Sequence, residues 1–172
     1  MGKFIEDYNF IRPFSYEGDF YLKYLGYNDF EKVVPIKRPR VQDFYTLHYV
    51  LGGSGTLMLG ETFYKVRAGQ LFFLPPQEQI MYYPDEAAPW EYVWFAFDGA
   101  KAEEYGKKMG FSVQAPVREA PAGGQVLLCL QRLFGCMLAG VIFTVLPPPM
   151  DQSKTDRFIS VLKSCKAKYL IS

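Results

Sequence analysis

The segment Phe20–Asp98 contains seven short runs of strand-forming residues, and this pattern constrains the fold more than any other feature of the chain. Gly, Pro, Asn or Asp residues separate the runs. In order, they read FYLKYLGY, FYTLHYV, GTLML, TFYKV, QLFFLP, QIMYY and EYVWFAF. Short strands joined by turns are typical of a β-sandwich or β-barrel rather than of βαβ units. We therefore expect a mainly β domain whose barrel spans residues 20–99.

The regions that flank this barrel follow other patterns. Residues 1–19 are rich in aromatic and turn residues without a clear period, and we interpret them as an N-terminal arm that lies across another surface. Residues 100–172 are predicted to be helical, with a short surface helix in AKAEEYGKKMG that ends at Gly110. A last helix is expected to begin near Ser153 and to continue to the end of the chain. The fold class is thus a β-barrel followed by two or three C-terminal helices.

The stretch Val126–Leu146 is almost entirely apolar and is long enough to cross a membrane. However, Gln131 and Arg132 near its centre would be costly in lipid. We favour a helix that is buried on two sides, against its own barrel and against a partner chain. Large side chains at a three-four spacing favour a helix–helix seam in a homodimer. They are Leu127, Leu130, Phe134, Met137 and Val141.

The charge of the chain bears on whether it binds nucleic acid, and its cysteine content bears on its cellular compartment. Nineteen Lys and Arg against eighteen Asp and Glu leave a net charge of +1, without the basic excess of most nucleic-acid-binding domains. The basic cluster Lys32, Lys37, Arg38 and Arg40 is interpreted as a solvated loop. Three cysteines without framework spacing, and a first segment unlike a signal peptide, predict a cytoplasmic protein.

His48 is the single histidine of the chain, and this fact limits the chemistry. Metal sites in small β-barrels need two or three histidines with a carboxylate, and nucleophilic catalysis needs a base beside the nucleophile. The GGSG turn after His48 also lacks the length and the Lys-Ser/Thr ending of a phosphate-binding loop. We therefore expect no metal, no cofactor and no enzymatic activity. His48 is interpreted as a polar residue of the barrel interior or, alternatively, as a ligand contact.

Strand alternation groups the remaining candidate residues. Tyr92 and Trp94 share one face of their strand, and Thr46 and His48 share one face of theirs. With an arginine at the strand entrance, such an interior would let aromatic rings stack on a small ring while polar groups bond its oxygens. The alternative is that these aromatic side chains only fill the barrel.

The segment Arg38–Gly99 resembles the effector-binding domain of the AraC family of bacterial transcription regulators. The matching features are the Arg38-Pro39 pair, then YVLGGSG, AGQLFFLPP and the aromatic WEYVWFAFDG. The resemblance implies a cupin-like jelly-roll barrel that binds a small effector, often a sugar, followed by helices that dimerise. It also implies a separate C-terminal domain with two helix-turn-helix units, which alone would contact DNA. DRFISVLKSCKAKYLIS resembles the linker helix that leads into that domain.

The same resemblance implies a ligand site. In the arabinose-responsive member of the family, the sugar contacts an arginine, a tyrosine and a stacking tryptophan that correspond to Arg38, Tyr82 and Trp94. A histidine of that site is replaced here by Tyr92. With His48 added, the predicted ligand-binding residues are Arg38, His48, Tyr82, Tyr92 and Trp94. Two other functions remain open: a small cupin-fold sugar isomerase or epimerase, which the shortage of histidines disfavours, and a stand-alone carbohydrate-binding module.

The predicted seam leads to a test of assembly. Light scattering at micromolar concentration should give about twice the mass of one chain, because an uncovered apolar stripe of this size is rarely tolerated on a soluble monomer. Leu130→Glu or Met137→Glu should give monomer or aggregate, whereas Lys166→Glu should change little. A clean monomer at high concentration would contradict the dimer prediction.

Overall fold

The computed structural model describes residues 19–28 and 38–121, together with 125–126 and 129, and in them eight strands and one helix. The strands are β1 Tyr21–Asn28, β2 Tyr45–Gly52, β3 Ser54–Leu59, β4 Thr62–Arg67, β5 Gln70–Leu74, β6 Ile80–Pro84, β7 Glu91–Asp98 and β8 Val117–Glu119; the helix is α1 Ala102–Lys108. Each of the seven predicted runs forms a strand, so the mainly β fold class is confirmed. The sequence did not predict β8, whose three residues pair only with β5 at the edge of a sheet.

The strands form two antiparallel sheets. The larger has the order β1-β7-β2-β5-β8, and the smaller has the order β4-β3-β6. The chain changes sheet between β2 and β3, β4 and β5, β5 and β6, and β6 and β7. Such repeated crossing is typical of a double-sheet jelly roll, which wraps both sheets around a single interior.

The interior is an apolar core to which both sheets contribute. Its buried residues include Val50, Leu57, Leu59, Val66, Phe72, Leu74, Ile80, Trp90 and Tyr92. Because side chains alternate along a strand, Leu57 and Leu59 occupy alternate positions of β3, and Phe72 and Leu74 occupy alternate positions of β5. The sheets are therefore held together by their facing apolar sides.

The outer face of the five-stranded sheet is also buried, because α1 packs on it. Phe73 and Phe97 lie in a second core cluster with Ala102 of the helix. Gly106 is buried against the Phe73 ring, so close that a Cβ atom would come within 2.8 Å of it. The remaining α1 residues are exposed, and the helix ends before Gly110, which has φ of 81°. The predicted surface helix is thus confirmed.

Several sequence predictions fall outside the described residues. These include nearly all of the N-terminal arm, the later C-terminal helices and the residues of the predicted dimer seam. Of the apolar stretch, the structure describes only Val126 and Cys129, and both have helical backbone. Within the described residues, no helix is long and apolar enough to span a bilayer.

Two glycines illustrate how closely backbone and side chains approach in the barrel. Gly53, between β2 and β3, has φ of 68°, which makes the predicted tight connection possible. Gly55 in β3 has an ordinary φ, but an added Cβ would lie 2.4 Å from the indole of Trp90. Trp90 is 1% exposed and lies in the apolar core, so its indole is not free to move away from residue 55.

Gly55→Ala should therefore destabilise the fold. We expect the free energy of unfolding to fall by about 1–3 kcal/mol, the usual cost of overpacking a core, in a urea titration followed by circular dichroism. Gly52→Ala is the matched control, because its Cβ would meet only Glu91 Oε2, at 3.8 Å. Equal stability of the two variants would contradict this account of the packing.

Candidate functional site

A row of aromatic rings crosses the inner face of the five-stranded sheet. Strand register places Phe72 of β5 opposite His48 of β2, and His48 opposite Trp94 of β7. The Phe72 and His48 rings are nearly parallel, with centroids 4.2 Å apart, and the His48 and Trp94 rings are 6.2 Å apart at 25°. Trp90 extends the row beyond Phe72, at 5.3 Å and 11°. Four flat side chains thus line one wall of the interior.

Two tyrosines stand at a steep angle to this wall. Tyr82 comes from β6 of the smaller sheet and Tyr92 from β7. Their rings meet that of His48 at centroid distances of 5.4 and 5.2 Å and at angles of 63° and 66°. This packing places two phenol groups beside His48 in the barrel interior.

Two further polar side chains reach the phenol oxygens. The Arg40 Nη2 donates a hydrogen bond of 2.8 Å to the Tyr82 hydroxyl. The Asn28 Nδ2 donates one of 2.6 Å to the Tyr92 hydroxyl. Among the described residues, nothing bonds the buried Oδ1 of Asn28 or the buried Nδ1 of His48. A buried polar atom without a partner is costly, so these two atoms are candidates for contact with a bound molecule.

Backbone pairing explains the position of Arg40. Its N–H and C=O exchange hydrogen bonds of 2.8 Å with Ile80, at the start of β6. Tyr82 lies two residues further along β6, on the same face of that strand as Ile80. The side chain of Arg40 therefore runs beside β6 to the Tyr82 hydroxyl.

Burial decides the protonation states in the interior. Burial lowers the pKa of His48 well below its ordinary value of 6.5, and the nearby positive charge of Arg40 lowers it further. Burial likewise raises the pKa of Tyr92 well above 10.0, with a further contribution from Tyr82. The imidazole is thus neutral and the phenol protonated near neutral pH. The interior therefore offers neutral hydrogen-bonding groups beside the cationic side chain of Arg40.

Four of the five predicted site residues lie together in this interior: His48, Tyr82, Tyr92 and Trp94. Arg38 does not, since its side chain is exposed. Its neighbour Arg40, which the sequence analysis assigned to a solvated loop, is instead partly buried against Tyr82. The solvated-loop interpretation is therefore wrong for Arg40. The ligand-binding role predicted for Arg38 stays a prediction.

Sequence reasoning also missed Asn28 and Phe72. The run QLFFLP contains two adjacent phenylalanines, Phe72 and Phe73. Because side chains alternate along a strand, one of the two must face the barrel interior, and this signal could have identified a residue of the aromatic wall. Asn28 carried no such signal. It directly follows the first run, at a position where an asparagine is ordinarily a turn residue.

The arrangement is suited to binding. It combines flat aromatic faces with phenol, amide, imidazole and guanidinium groups, as in many sites for small polar ring compounds. Within the described part of the chain, no three His, Cys, Asp or Glu side chains are close enough together to hold a metal ion.

The lowered pKa of His48 predicts a pH dependence of stability. Below pH 6.5 the unfolded chain binds a proton that the folded protein does not, so stability falls as the pH drops. We expect a loss of up to about 1.4 kcal/mol per pH unit from this one group, and none above that pH. The NMR signal of this imidazole, the only one in the chain, should not titrate near 6.5. His48→Phe should remove this part of the pH dependence, and an ordinary titration curve would contradict the prediction.

Two bacterial regulators are similar to part of the chain. The Msm operon regulatory protein of Streptococcus mutans is 37% identical over 65 residues, which are 38% of this chain and 23% of that protein. The raffinose operon transcriptional regulatory protein RafR of Pediococcus pentosaceus is 36% identical over 62 residues, 36% of this chain and 22% of that protein. The matched segment thus spans less than a quarter of either relative.

Among solved structures, the cupin domain of Schizosaccharomyces pombe Cnp3 overlaps 62% of this chain and 74% of its own, with a TM-score of 0.40 and 11% identity. A Cupin 2 conserved barrel domain protein from Salinispora arenicola overlaps 59% and 82%, with a TM-score of 0.39 and 13% identity.

The family comparison covers much more of the chain. The model described as the AraC-like ligand binding domain matches residues 35–157, well over half of the 172 residues. This range includes β2–β8, α1 and every wall residue of the interior. The chain therefore belongs to the family of AraC-like ligand binding domains.

Proposed function

We propose that this chain is the effector-binding part of an AraC-type transcription regulator and that its effector is a sugar held inside the barrel. The observation that carries the proposal is the aromatic row on the inner face, bordered by two phenols and one arginine. The names of two relatives support it, since both are operon regulators and one regulates a raffinose operon. In this proposal the protein binds the sugar without converting it.

The aromatic wall favours a ring-shaped ligand. One face of a pyranose presents C–H groups, and such faces stack on aromatic rings. Trp94 is the wall residue best placed for this contact, because it is partly exposed whereas Phe72 and Trp90 are buried in the core. A sugar would therefore lie against Trp94, at the end of the row nearest β1.

The polar groups favour a ligand rich in hydroxyls. The Tyr82 hydroxyl and the Arg40 guanidinium form one hydrogen-bonding pair, and the unbonded His48 Nδ1 lies buried nearby. A sugar hydroxyl both donates and accepts, so it is able to bond a neutral imidazole nitrogen and a guanidinium alike. Charge-assisted bonds from Arg40 would contribute most of the polar affinity.

The remaining parts of the proposal concern the intact regulator. We propose that it forms a homodimer through the predicted seam of Leu127, Leu130, Phe134, Met137 and Val141, and that it contacts DNA only through a separate domain of the regulator. A cytoplasmic location agrees with that role. Paired DNA half-sites are read by dimers, so joining two chains in this region would couple sugar binding to DNA binding.

Isothermal titration calorimetry with a panel of mono-, di- and trisaccharides that includes raffinose tests the proposal. We expect one sugar to bind, and Arg40→Ala to weaken its binding by about 1.5–3 kcal/mol, tenfold or more. Trp94→Ala should weaken it as well, through the loss of stacking. Arg38→Ala, measured in parallel, decides which of the two arginines contacts the sugar.

Two surface substitutions serve as matched controls. Phe63→Ala removes a ring that is 59% exposed, and Arg67→Ala removes an arginine paired with Glu119 on the surface. Neither should change the affinity. Binding that survives both Trp94→Ala and Arg40→Ala undiminished would contradict the proposed site. Conversion of the sugar to an isomer during incubation, followed by chromatography, would instead favour an enzyme.

A further inference from the structure

Gly26 of β1 has no conformational reason to be a glycine. Its φ is not among the positive values found at Gly53, Gly60 and other turn glycines of the described chain. It lies inside a strand, where glycine is disfavoured because it loses more backbone entropy on folding than other residues and has no side chain to pack. Some other requirement must therefore explain a residue without a Cβ at this position.

The neighbouring strand supplies that requirement. Gly26 lies directly opposite Trp94 in the β1–β7 register, and residues that are directly opposite point to the same face of a sheet. A Cβ at residue 26 would lie 2.6 Å from Cε2 and Nε1 of the indole and 2.7 Å from Cζ2. The indole thus occupies the space that a side chain of residue 26 would fill.

We propose that Gly26 is a positioning residue: it lets the Trp94 indole lie across β1 and so sets the stacking surface of the ligand site. The functional half of this inference rests on the sugar-binding function proposed above. Trp94 belongs to the aromatic row as well, because the β2–β7 register places His48 on its other side. Any side chain at residue 26 forces the indole away from β1, and Trp94 is able to move because it is partly exposed.

The next inward position of β1 has a parallel role. Asn28 lies opposite Tyr92 and donates its 2.6 Å hydrogen bond to the phenol of that residue. Each inward residue of β7 in the site is thus placed by the β1 residue across from it. Gly26 does so by leaving space, and Asn28 does so by bonding.

Fluorine NMR of protein labelled with 5-fluorotryptophan tests the inference without any ligand. The chain has two tryptophans, so two resonances are expected, and Trp94→Ala assigns them. Gly26→Ala should move the Trp94 resonance and leave that of Trp90 in place. Gly55→Ala should do the reverse, because its Cβ would contact Trp90. Gly52→Ala should move neither. A Trp94 resonance that Gly26→Ala leaves unchanged would overturn the proposal.

Calorimetry with the sugar identified from the panel tests the functional half. Gly26→Ala should weaken binding about two- to tenfold, the range expected for a disturbed aromatic contact. In a Trp94→Ala background the same substitution should have no further effect, because it acts through the indole. An equal loss in both backgrounds would show a general structural effect and overturn this half. If no sugar binds the unaltered protein, the function proposed above fails, while the NMR result still decides the role of Gly26.

Discussion

The candidate site depends on the register of four antiparallel strands in the larger sheet. One transverse line of residue pairs contains Phe72, His48, Trp94 and Gly26, each opposite the next. Since the side-chain period of a strand is two, a slip of any strand by one residue would turn its member of the row to the outer face. The aromatic wall is therefore a direct product of strand pairing.

That register is held from both sides of the sheet. The inner face packs on the smaller sheet, and the outer face packs on α1 through Phe73, Phe97 and Ala102. A slip of one strand would disrupt the apolar packing on both faces of the sheet at once. The register is therefore strongly specified. The surrounding rings keep water away from His48, and this desolvation lowers its pKa and so keeps the buried imidazole neutral.

The strands, and the placement of Tyr92 and Trp94 on one strand face, could be predicted from the sequence because each depends on local alternation and turn residues. Tyr92 and Trp94, two residues apart in one run, follow that rule directly. Tyr82 was expected only from the resemblance to the AraC family. Arg40 and Gly26 could not be predicted in this way. The position of Arg40 depends on its pairing with Ile80, forty residues away, and the need for Gly26 becomes visible only when Trp94 lies across from it. Such long-range pairings leave no periodic mark in the sequence.

A crystal structure of the chain with the sugar identified by calorimetry tests the central claim most directly. We predict density for the sugar inside the barrel, with one ring face against Trp94 and hydroxyls within hydrogen-bonding distance of Arg40 and His48 Nδ1. Density for the sugar on the outer surface, with the barrel interior still closed by its own side chains, would contradict the account.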